Sequence, residues 1–229
     1  MNKLLLLLVS VLLISAYDPA TVNQLKKGDI NKDVEMVTSK GTLVIRLSDS
    51  TPRHRDNFLK LVNQHFYDGI LFHRVMSQFM VQAGDPKSKT AKPGEALGLG
   101  GPGYTVPAEI RPDLFHKKGA LAAARTPDEI NPTRESNGSQ FYLVHGRVYS
   151  EEELNSVETR LNGYKIPAAH REVYKTTGGT PSLDQKYTVF GEVIKGISVI
   201  DSIAAVTTGE RNRPVEDVRI IKTTLIKRQ

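Results

Sequence analysis

Two polar side chains sit where the local pattern calls for apolar ones. Residues 72–85 read Phe-His-Arg-Val-Met-Ser-Gln-Phe-Met-Val-Gln-Ala-Gly-Asp. Two short apolar runs flank a polar break at Ser77 and Gln78, the pattern of two strands joined by a tight connection. Arg74 lies between His73 and Val75, and Gln82 between Val81 and Ala83. A charge or an amide placed among apolar neighbours needs hydrogen-bonding partners, because burying it bare is costly. One outcome is a structural ion pair and a satisfied core amide. The other uses Phe79 and Met80 as the lining of an apolar pocket with a guanidinium fixed beside it.

Other chemistries find less support. The chain has no cysteine, which excludes disulfides, thiolate metal sites and cysteine nucleophiles. His54, His65, His73, His116, His145 and His170 are scattered without ligand spacing, so neither a metal nor any other cofactor is expected. Ser136 and Ser139 fall in a Ser-Asn-Gly-Ser run without the Gly-x-Ser-x-Gly form of a nucleophile elbow. The loop Gly98-Leu-Gly-Gly-Pro-Gly103 lacks a following Lys-Ser/Thr, so its glycines read as turn formers, not a phosphate cradle. The formal charge is +6, with basic residues dispersed and not interleaved with aromatics, so nucleic acid is not an expected partner.

The elements that would hold Arg74 and Gln82 are short. Val34–Ser39 and Thr42–Leu47 read as strands around a Lys40-Gly41 turn, with alternation at Leu43, Ile45 and Leu47. A helix follows, capped by Thr51, opened by Pro52 and carrying Phe58, Leu61 and Val62 on one face. Gly119–Ala124 is a run of small apolar residues that lets a ligand backbone approach, and Gln140–Val144 is another strand. Residues 146–181 read as an insertion. Within it Ser150 and Glu153 form a capping box ahead of Leu154, Val157 and Leu161, and a polar tail follows. This insertion either packs on the flank or extends a substrate groove. Thr188–Val193 and Val218–Ile226 are strands, with a second buried helix face at Val199, Ile200, Ile203 and Ala204. Short strands with two separated helices predict a mainly β domain built as a closed, mostly antiparallel barrel.

The central segment closely resembles the main motif of the cyclophilins, the peptidyl-prolyl cis/trans isomerases. Phe66-Tyr-Asp-Gly69, Asn137-Gly-Ser-Gln-Phe-Tyr142 and Tyr187-Thr-Val-Phe-Gly-Glu-Val193 agree with it in the family's order. The resemblance implies a closed eight-stranded barrel capped by two helices, here with a partly helical insertion. It implies rotation about X-Pro peptide bonds, without a cofactor, in proline-containing peptides and unfolded or partly folded proteins. Arg74 stands at the position of the catalytic arginine, and Gln82 where an amide orients it. Phe79, Met80, Tyr142 and Leu183 correspond to the proline pocket, and Ala124, Arg125 and Gln140 to the adjoining groove. Arg125 replaces a common asparagine, and Tyr187 a common histidine. Ser182 replaces a tryptophan that contributes to cyclosporin binding, so weak sensitivity to that drug is expected. His73 invites an acid–base reading, but bond rotation needs no proton transfer.

At the N-terminus, Met-Asn-Lys precedes an apolar run from Leu4 to Ile14 and then Ser15-Ala16. This is the layout of a secretory signal peptide cut after Ala16. The alternative is an uncleaved anchor. Residues 17–33 read as an arm and 34–229 as one isomerase domain. The expectation is an exported monomer, periplasmic or secreted, that is not inserted in a membrane after cleavage. A binding module or chaperone that holds proline-containing segments without turning them over is the competing function, motivated by Ser182, Tyr187 and the insertion.

Overall fold

The computed structural model describes residues 25, 26, 28–161 and 163–228. The leader at 1–16 and most of the arm lie outside the described residues. β1 (Lys32–Thr38) already begins within the expected arm. It pairs with β2 (Gly41–Leu47) across a tight turn in which Thr38 stands opposite Gly41. The turn works because Gly41 adopts φ +131°, outside the comfortable range of a side-chain-bearing residue. β3 (Arg74–Met76), β4 (Met80–Ala83), β6 (Ala120–Ala123), β8 (Phe141–Val144), β9 (Val189–Lys195) and β10 (Ile220–Lys227) complete an antiparallel sheet in the order β10-β1-β2-β9-β6-β8-β4-β3. A separate two-stranded sheet pairs β5 (Thr105–Val106) with β7 (Ser136–Asn137).

The expected closed barrel capped by two helices does not form. The sheet is an open, strongly curled half-barrel with β3 and β10 as its edges. No strand ladder joins those edges. Between them lie an isolated bridge, Leu71 to Arg219, and a few loop bonds such as Gly69 N–H to the Ile220 carbonyl at 2.8 Å. β3 is only three residues long, and the segment ahead of it meets the start of β10 through one bridge and single backbone bonds, not as a named strand. The described residues contain four α-helices: α1 (Pro52–Asn63), α2 (Glu151–Thr159), α3 (Ala168–Thr176) and α4 (Ser198–Ala204). α1 and α4 carry the two expected buried faces. α2 has the expected capping box from Ser150 and Glu153. α3 lies between the expected helix stop at Gly163 and the polar tail expected around 177–180, where no second helix was expected. Its apolar side rests mainly on Tyr174, too sparse for periodicity to mark it.

α1 is capped differently from the expectation. The Thr51 hydroxyl makes no cap bond to the first turn. Glu109 does the work from a distant loop, accepting from Arg53 N–H at 3.1 Å and from His54 N–H at 3.0 Å. A carboxylate there satisfies orphan donors and complements the helix dipole.

Strand alternation sorts the buried side chains of β4, β6 and β8 onto two faces. Val81, Ala83, Leu121, Ala123, Phe141 and Leu143 join the main core with Phe58, Tyr67 and Phe190. Met80, Ala120, Ala122, Ala124, Tyr142 and Val144 form a second cluster, against which Phe79, Leu183 and Tyr187 pack. A third cluster holds the insertion to the flank through Leu154, Val157, Leu161, Ile166 and Tyr174, with Phe115 against it. No described helix is long and apolar enough to cross a membrane.

Candidate active site

The second face carries a slot. Arg74, Phe79, Met80, Gln82, Ala124, Arg125, Tyr142, Leu183 and Tyr187 line a cavity of ≈ 160 Å³. All are residues singled out in the sequence. The tenth, Gln140, lines an adjoining cavity of ≈ 130 Å³ that also touches Gln82, Ala124 and Arg125. A third cavity of ≈ 650 Å³ meets the slot at Arg74 and Gln82 and runs between the 93–99 and 209–215 loops. The slot exists because β6 contributes only alanines to this face. The Met76–Met80 register leaves a three-residue hairpin connection with Gln78 at φ 61°, which delivers Phe79 to the slot wall.

Arg74 and Gln82 are direct cross-strand partners. Arg74 Nη1 donates to Gln82 Oε1 at 3.4 Å, a long bond, and among the described residues no carboxylate pairs with this guanidinium. Gln82 Nε2 donates to Gln140 Oε1 at 2.9 Å. Gln140 Nε2 in turn donates to the carbonyls of Gly98 and Gly100 at 2.9 and 2.7 Å. That loop is pinned from behind by buried Asp85, which accepts from Gly98 and Gly100 N–H at 2.7 and 3.1 Å. The chain of donors thus runs from Arg74 to the glycine-rich loop. A Cβ on Gly100 would sit 2.0 Å from Asp85 Oδ1, so this glycine serves close approach as well as turning.

Arg125 is the opposite of Arg74. Its guanidinium pairs with Asp128 at 2.6 Å, and its Nε donates to the Lys186 carbonyl at 3.0 Å. It also lies over the Tyr187 ring, 4.5 Å from the centroid. The arginine in place of asparagine is therefore committed to the rim and fixes Tyr187 by a cation–π contact. Ser182 is exposed beside Leu183. The slot lining includes no residue of 146–181, and the insertion packs on the flank.

Burial depresses the basicity of His73, next to Arg74, to about 4, and nearby Asp85 offsets this only in part. His73 is neutral near pH 7. Three further groups carry structure that the sequence did not reveal. His54 joins Glu109 at 2.7 Å through Nδ1 and Ser136 at 2.9 Å through Nε2. The Ser-His-Glu order mimics a nucleophilic triad, but Ser136 is 1% exposed, and the arrangement ties α1 to β7. His116, Asp184 and Tyr174 form a buried cluster behind Tyr142. Asp85 is the third. Apart from the local bond that Asp85 accepts from Lys87 N–H, their side-chain partners lie 10 to 82 residues away in sequence, so no local spacing signals them.

Comparison with known proteins bears on the family and the fold. Residues 33–225 match the model of the cyclophilin type peptidyl-prolyl cis-trans isomerase family. A Staphylococcus haemolyticus relative, named for peptidyl-prolyl cis-trans isomerase activity, is 37% identical over 191 residues, covering 82% of this chain and 87% of its own. A Streptococcus pyogenes protein named as a bifunctional phosphatase/peptidyl-prolyl cis-trans isomerase is 36% identical over 83% of this chain and 37% of its own. The crystal structure of a Cryptosporidium parvum cyclophilin type peptidyl-prolyl cis-trans isomerase superposes with a TM-score of 0.60 at 22% identity, covering 85% of this chain and 97% of that one. A second structure of that protein was determined in the presence of the dipeptide Ala-Pro, with a TM-score of 0.59. With a family model spanning 33–225 and relatives above the 30% mark over four-fifths of its length, this chain belongs to the cyclophilin-type peptidyl-prolyl cis-trans isomerase family.

Proposed function

We propose that the chain accelerates cis/trans rotation about X-Pro peptide bonds in exported proteins. The observation that carries this reading is the Arg74 guanidinium, half-buried at the edge of an apolar slot, aimed by Gln82 and, among the described residues, without a carboxylate to neutralise it.

Amide resonance sets a barrier of roughly 20 kcal/mol, and uncatalysed exchange takes about 10–100 s. When the bond twists, resonance is lost, the nitrogen becomes pyramidal and its lone pair localises. Arg74 donates to that lone pair and gains little from the planar ground state, where the pair is delocalised. The difference lowers the barrier. Phe79, Met80, Tyr142 and Leu183 hold the proline ring while the other side of the bond turns. Gln82, fixed by Gln140, keeps the planar fork of Arg74 oriented, which a lysine could not reproduce. Ala124 leaves room for the substrate backbone, with Arg125 and Tyr187 forming the rim. No bond breaks and no proton moves, so neutral His73 needs no part in the chemistry.

A proline isomerisation assay on the protein and on Arg74→Ala tests the proposal. A roughly 10²- to 10³-fold fall in kcat/KM is expected, the scale of losing one preorganised donor. Equal rates would remove Arg74 from the role. Magnetisation-transfer measurements distinguish turnover from holding: a chaperone module binds the peptide without faster exchange. Export rests on the leader pattern of residues 1–16, and N-terminal sequencing of protein recovered outside the cytoplasm should begin at Tyr17.

A further inference from the structure

Tyr142 is a wall of the slot, and its hydroxyl does not face the slot's chemistry. The hydroxyl lies 2.9 Å from His116 Nε2, and the two rings stack nearly parallel. His116 Nδ1 is 2.9 Å from Asp184 Oδ1, which also accepts the His116 backbone N–H at 3.0 Å. The other oxygen of Asp184 accepts from the Tyr174 hydroxyl at 2.7 Å. Every member is buried, and Asp184 is 1% exposed. Asp184 Oδ1 faces Nδ1, so Nδ1 is assigned as the ring nitrogen that donates to the carboxylate, and with that tautomer Nε2 accepts from the Tyr142 hydroxyl. The chain of bonds therefore has one sense, with both tyrosines donating and Asp184 as the common sink.

Tyr174 comes from α3, inside the insertion. Asp184 directly follows Leu183, another wall of the slot. The base of the insertion makes a further link: the Thr180 hydroxyl donates to the Phe79 carbonyl at 3.2 Å, and Thr180 N–H to the His116 carbonyl at 2.8 Å. Gly179 lets these segments meet, since a Cβ there would sit 2.2 Å from the His116 carbonyl and 2.6 Å from the Tyr174 ring. Residues 146–181 thus reach the slot through its rear wall without lining it.

We propose that the insertion is a positioning device for the proline slot, in which Tyr174, through Asp184 and His116, fixes the Tyr142 ring, and Asp184 fixes Leu183. The proposal rests on the isomerase reading for its consequence, not for its geometry. A slot is selective for a ring only if its walls hold still, and a buried hydrogen-bonded network is a means of holding an aromatic wall in one rotamer. Burial, reinforced by neighbouring Tyr187 and Asp184, keeps the Tyr142 phenol well above the usual tyrosine range, so it remains a donor at all working pH values.

The test is a double-mutant cycle on the full chain with Tyr174→Phe and Tyr142→Phe. The probe is an Ala-Pro-containing tetrapeptide, read by affinity, by the kcat and KM of isomerisation, and by the imidazole ¹⁵N signals of His116. Tyr174→Phe should weaken peptide affinity about three- to tenfold, chiefly in KM, and shift the His116 signals. In the Tyr142→Phe background the same change should have no further effect on affinity, because the wall is already released. Tyr174→Phe protein that melts earlier but binds with unchanged affinity would overturn the proposal, and so would fully additive effects. A wild-type protein without peptide affinity would sink the isomerase reading instead. The His116 signals would then judge the relay alone, and their insensitivity to Tyr174→Phe would overturn it.

Discussion

β4, β6 and β8 are buried on both faces, yet the two faces do opposite things. On one, Phe58, Tyr67, Phe141 and Phe190 meet edge-to-face or tilted at centroid separations of 4.8 to 5.6 Å and fill the space. On the other, β6 offers Ala120 and Ala122, followed by Ala124, and the unfilled volume is the slot. The hydrogen-bonding groups differ too. The filled face contains few polar side chains. The slot face carries Gln140, Gln82 and the Arg74 guanidinium linked in series, ending in a donor that has no charged partner among the described residues. Stability is expected to rest on the face where large side chains fill the space, and the proposed activity on the face where alanines leave room. Substitutions on the two faces should therefore separate stability from activity.

The largest effect is expected on the filled face. Phe141→Ala removes a side chain that contacts both Phe58 and Tyr67 and should cost about 3–5 kcal/mol in denaturant unfolding. Across the sheet, Arg74→Ala should raise the isomerisation barrier by a comparable free energy while leaving the unfolding free energy within about 0.5 kcal/mol of wild type. If Arg74→Ala unfolded as easily as Phe141→Ala, the guanidinium would be a structural group and the separation of the two faces would collapse.

Half of the slot was legible in the sequence because four of its residues lie in one short motif. Arg74, Phe79, Met80 and Gln82 follow each other within nine positions; strand alternation and cross-strand pairing put Arg74, Met80 and Gln82 on one side, and the hairpin connection adds Phe79. The open sheet was not legible. Closure depends on whether the segment before β3 can ladder with β10, a tertiary question that the apolar pattern of residues 69–72 does not answer. α3 was missed because Tyr174 alone carries most of its burial. The glycine-rich loop was read as turns, yet Gly98 and Gly100 also hold Gln140 through their carbonyls. Backbone acceptors leave no trace in side-chain pattern, and Asp85, which pins that loop, looks like any loop aspartate. Asp184 and Glu109 were invisible for the same reason: each serves residues far away in the chain.

His73 lies on the seam between the faces, between core Phe72 and slot Arg74. It is 5% exposed. Its basicity is lowered to about 4 in the folded state by desolvation, against about 6.5 when unfolded. Above pH 6.5 both states are neutral and the contribution to stability is whole. As pH falls from 6.5 towards 4, the unfolded chain takes up a proton that the folded chain refuses, and stability is lost, by up to about 3 kcal/mol. Burial also lowers His54, which acts in the same direction. Denaturant unfolding of wild type at pH 7 and 4.5 should show the loss, and His73→Gln should reduce it. A mutant with the full wild-type pH dependence would show that other groups carry the acid sensitivity.

The sharpest test of what the alanines are for is Ala124→Leu, whose expected stability effect is far smaller than that of Phe141→Ala. Ala124 lines both the slot and the adjoining cavity. A larger side chain in a well-packed core forces strain of roughly 1–3 kcal/mol. Here the added atoms enter empty volume, so the expected change in unfolding free energy is under about 1 kcal/mol, a shift of a few degrees at most for a domain of this size. Peptide affinity should nevertheless fall at least about tenfold, because the same volume is what the proline ring and its neighbour need. The informative quantity is the ratio of the two changes. A large loss of stability would mean that the slot face is as tightly filled as the other. Unchanged affinity would mean that the substrate lies elsewhere, along the wide cavity between the 93–99 and 209–215 loops that meets Arg74 from its far side.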